Sequence, residues 1–171
     1  MNGKRAFKTF LIVALVATLF LVSFYAVITL WPKGDPIPAE DITAPAADGS
    51  LYSLSAHLQK EPVVLVFFEL EHRHSQEVIQ RMIPAAKKQG IEVVAVCVSA
   101  LSPEQALARM KELKMPTPAH LLFDQDGSVA KVYNVTSPPC IYFIDKNGMI
   151  VDAYLGTISE DSLAKELQEL S

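Results

Sequence analysis

Cysteine is scarce in this chain, with Cys97 and Cys140 the only two. Two thiols so far apart exclude a disulfide-scaffolded secreted domain, and no CxxC or zinc-finger spacing occurs anywhere. No cysteine precedes Cys97, so the stretch from Met1 to Val96 holds no thiol nucleophile. An excess of positive charge is also lacking. The formal net charge is −4, so no broad basic field invites nucleic acid, and no nucleic-acid partner is expected. Internal repeats are absent. Charge is missing outright between Thr9 and Pro32.

That uncharged run is the most conspicuous feature present. Lys4, Arg5 and Lys8 precede it. As a helix, Phe10 to Trp31 is long enough to cross roughly 30 Å of hydrocarbon. Tyr25 and Trp31 fall toward its far end, where amphipathic rings favour the interface. The flanking cations hold the N-terminus in the cytoplasm. The alternative is a cleaved secretory signal, whose apolar core is shorter and is followed by a small-x-small site. We read an uncleaved, single-pass signal-anchor and an extracytoplasmic domain at the cell membrane. The expected organisation is a cytoplasmic N-terminus over 1–9, a transmembrane helix over 10–31, a linker over 32–43 and a folded domain over 44–171. The linker, rich in Pro, Ala and acidic residues, reads as extended and exposed.

Within the domain, Asp48-Gly49 signals a hairpin between Ile42–Ala47 and Leu51–Leu54. Val63 to Phe68 is a run of β-formers, read as a central strand buried on both faces. Val78, Ile79, Met82, Ile83 and Ala86 recur at helical spacing over 75–89, with Gly90 as the stop and Pro84 as an expected kink. Ile91 to Val98 reads as a second buried strand. Ser102-Pro103-Glu104-Gln105 is a helix start with a capping box. Leu121 to Phe123 reads as a short strand and Asp126-Gly127 as a turn. Asn147-Gly148 joins the strands Ile141–Asp145 and Ile150–Leu155 into an antiparallel hairpin. Ser159 starts a last helix with acids in its first turn. Alternating strands and helices, then a hairpin and a helix, give an α/β fold with a mixed central sheet flanked by helices.

This order resembles the thioredoxin fold, and its motifs resemble the ResA/TlpA-like group near the redoxin and AhpC/TSA-related (peroxiredoxin-like) families. Ala44-Pro45-Ala46-Ala47-Asp48-Gly49 resembles the entry hairpin. Lys60-Glu61-Pro62 followed by Val63 to Phe68 resembles the strand leading to the active site, and Gly90 to Val96 the next strand. Tyr133-Asn134-Val135-Thr136-Ser137-Pro138-Pro139 resembles the cis-proline loop, and Ile141 to Gly148 with Gly156-Thr157 completes the pattern. The resemblance implies an exported thiol-disulfide oxidoreductase, often one serving cytochrome c maturation. Such chemistry uses a CxxC at a helix N-terminus, where free N–H groups stabilise the attacking thiolate and a second thiol resolves the mixed disulfide.

The matching stretch here is Glu69-Leu70-Glu71-His72-Arg73-His74-Ser75. His72 stands where the first cysteine would be and Ser75 where the second would be. Neither an imidazole nor a hydroxyl exchanges disulfides. The peroxidatic cysteine of peroxiredoxins falls in the same region and is missing too. The matched cis-proline is Pro139. The residue before it, Pro138, has no N–H to offer an extended peptide.

Three readings follow. The first is a non-catalytic binding module with a degenerate active site, recruiting a protein partner at the envelope. No cofactor is expected for it. The second is a redox enzyme acting through Cys140 alone, which the resemblance places near the first turn of the active-site helix. The third is a metal-binding protein using His72, His74 and Glu71, since His-x-His can chelate zinc or copper. Cys97 reads as an inert strand thiol. Flanking the central strand on opposite sides, the two cysteines are two strand spacings apart, roughly 9–10 Å. A disulfide needs Cα atoms within about 7 Å, so no bridge is expected. Ser75 reads as a helix cap or first-turn residue. His57 and His120 read as ordinary surface or strand-edge residues.

Overall fold

The central strand is built from six consecutive apolar residues, Val63–Phe68, and every one of them is buried. A strand apolar on both faces needs cover on both, and the computed structural model supplies it. The structure describes residues 34–58 and 60–171, together with Val16, Thr18 and Leu19, which are helical. The anchor expected over 10–31 otherwise lies outside the described residues. Among the described residues, no helix is long and apolar enough to cross a membrane.

In chain order the elements are β1 (Ile37–Pro38), β2 (Thr43–Pro45), β3 (Leu51–Ser53), a 3-10 turn (Leu54–Ala56), β4 (Val63–Phe68), α1 (Arg73–Gln89), β5 (Glu92–Val98), α2 (Pro103–Glu112), β6 (His120–Asp124), α3 (Ser128–Val132), β7 (Cys140–Ile144), β8 (Met149–Leu155) and α4 (Glu160–Leu170). The main sheet runs β1-β8-β7-β4-β5-β6. β4, β5 and β6 are parallel, β7 runs antiparallel beside β4, and β8 runs antiparallel to β7. β2 and β3 form the separate entry hairpin, turned at Gly49 with φ +83°.

The pleat of β4 sorts the core into two layers. Val64, Val66 and Phe68 pack with Val78, Ile79 and Met82 of α1, Ala106 and Met110 of α2, and Leu163 and Leu167 of α4. Val63, Leu65 and Phe67 pack with Ala44, Tyr52 and Leu54 and with Val129 and Ala130 of α3. Each fully buried Phe or Leu contributes about 1.5–3 kcal/mol of transfer free energy.

Local signals act as expected at the helix ends. Ser102 and Gln105 form the reciprocal capping box, Ser159 accepts from the Ser162 N–H, and Gly90 ends α1 in the left-handed region. Three readings change. The segment expected as an exposed linker contributes β1, which pairs with β8 at Ile150 and Met149, and Ile42 is only 3% exposed. α1 begins at Arg73 and continues through Pro84 to Gln89. The turn at Asp126-Gly127 leads into a further helix, α3.

Candidate functional site

β4 ends at Phe68, and the chain crosses a short loop to enter α1 with His72 as its N-cap. His72 has extended backbone angles and makes no side-chain cap bond. This strand-to-helix junction is where the sequence pattern places a redox pair. His72 is exposed at the entry, whereas Ser75 is fully buried. The Ser75 hydroxyl accepts from the Glu69 N–H at 3.2 Å. The Gln76 amide donates to the Leu70 carbonyl at 2.6 Å. Together these bonds tie the loop to the first turn of the helix. Ser75 is thus the first-turn residue expected, with a structural task.

Charged side chains of the loop are also committed. Glu71 takes both donors of a bidentate pair from Arg109 of α2, at 2.7 and 2.9 Å, and Arg109 holds Glu112 at 2.8 Å. The hydrogen bonds from Arg109 keep the Glu71 carboxyl below its usual range. His74 Nδ1 lies 3.5 Å from Glu77, which also accepts from Arg73 at 2.9 Å. The His72 and His74 rings meet edge to face at 5.5 Å. Glu71 therefore faces Arg109, and the structure does not gather His72, His74 and Glu71 into a ligand set. Among the described residues, no three His, Cys, Asp or Glu side chains come together as a metal-holding group. A cleft of about 420 Å³ borders this loop, lined by Glu69, Leu70, Glu71 and residues 98–101.

The proline loop lies before β7. The Pro138–Pro139 bond is cis, and the Pro139 carbonyl accepts from the Gly156 N–H at 2.8 Å. The Cys140 thiol donates to the Ser137 carbonyl at 3.5 Å. Cys140 is opposite Phe67 in register, so its side chain belongs to the layer with α3 and the hairpin. The layer holding α1 lies on the other face of the sheet. Expected beside the first turn of that helix, Cys140 points away from it. Cys140 is 2% exposed, and burial raises its thiol pKa. Cys97 lies in the α1 layer, 1% exposed. Burial, with the negative charge of Glu69 behind it, pushes its thiol up to about 12. Both cysteines are free.

Sequence reading missed one group. His120 opens the edge strand β6, as a strand-edge reading expects, but it and His57 are half-buried and not ordinary surface residues. They form a three-ring cluster with Tyr52, with centroids 4.6, 4.8 and 5.0 Å apart. Their positions in the chain carry no signal of this, because β6 brings His120 to the entry hairpin only through tertiary folding.

With this geometry in view, similarity to known proteins is informative. The model of the AhpC/TSA family matches residues 34–153. The chain is 28% identical over 95 residues to the thiol-disulfide oxidoreductase ResA of Geobacillus kaustophilus, covering 54% of this chain and 51% of that one. The chain spans about half the length of the curated relatives it matches. Among solved structures, MTB dsbF in mixed oxidised and reduced forms superposes with a TM-score of 0.67 at 25% identity, covering 76% of this chain and 95% of that one. The exposed lipoprotein thioredoxin Etrx1 of Streptococcus pneumoniae gives 0.62 at 25% identity, with 77% and 100% covered. The fold is thioredoxin-like.

Proposed function

The chain belongs to the AhpC/TSA family, and from that premise we propose that it is a thioredoxin-like protein of the ResA type which has given up dithiol chemistry and serves as a binding module at the cell envelope. One observation carries this reading. Ser75, which we align with the family's second cysteine, is fully buried with its hydroxyl bonded to the Glu69 N–H. A group in that position fixes the loop and offers nothing to a disulfide. His72 at the helix entry has no sulfur to attack with.

The thiols that remain support the same reading. A nucleophilic cysteine needs access and a lowered pKa. Cys140 is buried, its pKa is raised, and its side chain lies on the face away from α1. The loop before α1 is nonetheless well held, by Ser75, Gln76 and the Glu71–Arg109 pair. A rigid surface costs little ordering on association, which suits recognition of a folded protein partner. Pro138, without an N–H, withholds one donor from an extended peptide. The apolar run Phe10–Trp31, behind Lys4, Arg5 and Lys8, anchors the module to the membrane with its N-terminus cytoplasmic in this proposal.

The test is a disulfide-reduction assay on the full chain in detergent, with a Cys140→Ser variant alongside. The expected outcome is no turnover above background in either protein. Turnover by the natural chain that Cys140→Ser abolishes would overturn the proposal in favour of single-thiol redox chemistry.

A further inference from the structure

On the opposite side of the sheet from α1, the entry hairpin closes over β6 and leaves a cleft of about 400 Å³. Its lining includes Asp48, Ser50, Tyr52, His57, Thr117 and His120. Tyr52 stacks on His57 with planes 15° apart and meets His120 at 44°. The two imidazoles are 5.0 Å apart, centre to centre. Each ring has one nitrogen beside an acceptor. His57 Nδ1 lies 3.1 Å from the Ser53 carbonyl. A carbonyl only accepts, so the proton sits on Nδ1 and Nε2 keeps its lone pair. His120 Nε2 lies 3.4 Å from a Glu92 carboxylate oxygen. A carboxylate beside Nε2 favours the tautomer that carries its proton there and its lone pair on Nδ1. Imidazoles whose second nitrogen is held by a carbonyl or a carboxylate are the form in which histidine binds metals.

A second observation points to a ligand. Tyr52 is 5% exposed, and its hydroxyl is the one buried side-chain polar atom without a hydrogen-bond partner among the described residues. Buried polar groups are almost always paired, and an exception commonly marks a site for water or an ion. The hydroxyl is a hydrogen-bond donor without an acceptor, carried on a ring that touches both imidazoles.

We propose that His57 and His120 together bind a divalent transition-metal ion of the zinc or copper class in this cleft. Imidazole nitrogen suits these ions. Since no three His, Cys, Asp or Glu side chains form a ligand group among the described residues, the protein supplies two donors and water supplies the rest. A metal-bound water is the acceptor that the Tyr52 hydroxyl lacks. Ser53 fixes the His57 tautomer from outside, and Glu92 favours that of His120. A site with two protein donors exchanges its metal readily and keeps positions open for an outside ligand.

The experiment uses the full chain in detergent, without a histidine tag, stripped with chelator. Zinc is titrated by calorimetry, and copper(II) is followed by electron paramagnetic resonance. The expected result is one equivalent bound, with nitrogen hyperfine structure from two imidazoles. His57→Phe and His120→Phe keep the ring contacts with Tyr52 but lack the lone pair, and each should weaken binding by about tenfold or more. The His72→Ala, His74→Ala pair should leave binding unchanged. Three results would overturn the assignment: no binding up to about 1 mM zinc, binding indifferent to both Phe variants, or binding lost with His72 and His74 instead. Circular dichroism and melting of the Phe variants confirm that a loss reflects the site and not misfolding.

Discussion

Cys97 and Cys140 are paired in register with adjacent residues of one strand, Phe68 and Phe67, and so point to opposite faces of the sheet. Neighbours across a sheet share a face, while successive residues along a strand alternate. The two thiols are therefore separated by the sheet itself as well as by two strand spacings. We expect both to label with a maleimide in denaturant, and neither to label quickly in the native protein at neutral pH. Mass spectrometry under non-reducing conditions checks this. An oxidised native species two mass units lighter would contradict the register.

Burial of Cys97 also sets a pH dependence. Its folded pKa, about 12, stands above the ordinary value of 9.0. Above pH 9 the unfolded chain gives up this proton while the folded chain retains it. Stability is then complete below pH 9 and falls as pH rises toward 12. The slope is about 1.4 kcal/mol per pH unit for one group. Tyr52, Tyr133 and Tyr142 are raised as well and add to the loss once the unfolded tyrosines ionise near pH 10. Urea midpoints at pH 7 to 10 should decline for the natural chain. For Cys97→Ala the decline should be shallower, with Cys140, also raised by burial, and then the tyrosines supplying what remains, from a baseline lower by about 1 kcal/mol for the lost packing.

What the sequence made legible was whatever depends on near neighbours. The apolar run Val63–Phe68, the helical spacing of Val78, Ile79 and Met82, the Ser102 capping box and the Asn147-Gly148 turn are all local, and all appear in the fold. Other features depend on distant partners. β1 is two residues long and exists because Ile37 and Pro38 meet Ile150 and Met149. The direction of Cys140 follows from its register with Phe67, which a strand pattern does not fix to the residue. Tyr52, His57 and His120 meet only once the entry hairpin docks on β6, through the Ala47 N–H to Leu121 carbonyl bond. The carboxylate of Glu71 could not be traced to Arg109, 38 positions along the chain.

Placement of the redox position on His72 and Ser75 is open to a direct check. His72→Cys with Ser75→Cys should restore a dithiol that cycles between oxidised and reduced forms. A cysteine at 72 would sit exposed at the entry to α1, where helix N–H groups favour a thiolate. A cysteine at 75 loses the bond that Glu69 now donates, at a cost of about 1 kcal/mol. The double variant should therefore melt slightly lower when reduced and gain disulfide-reductase turnover. Titration against glutathione buffers, read by thiol trapping, gives the couple directly. A double variant that folds but shows no internal disulfide would mean that the redox position lies elsewhere.

A last prediction concerns α3, the helix that follows the Asp126-Gly127 turn. Asp124 ends β6 and is 2% exposed. Its two carboxylate oxygens accept from the Val129 and Ala130 N–H groups at 3.1 and 2.8 Å. α3 begins at Ser128 with Gly127 in the left-handed region, so no side chain at its cap position satisfies these donors. Asp124 does so from the preceding strand, and without it two buried N–H groups lose their partner. Asp124→Ala should destabilise the domain by about 2–6 kcal/mol, the sum of two unmet buried donors. Asp124→Asn keeps one acceptor oxygen and should cost about half as much. Urea denaturation with an unchanged slope would locate the effect in stability rather than in the compactness of the unfolded chain. α3 supplies Val129 and Ala130 to the layer that buries Cys140, so Asp124→Ala should also speed native alkylation of Cys140 while leaving Cys97, on the other face, protected. Equal acceleration of both thiols would indicate global unfolding instead of local loss of α3.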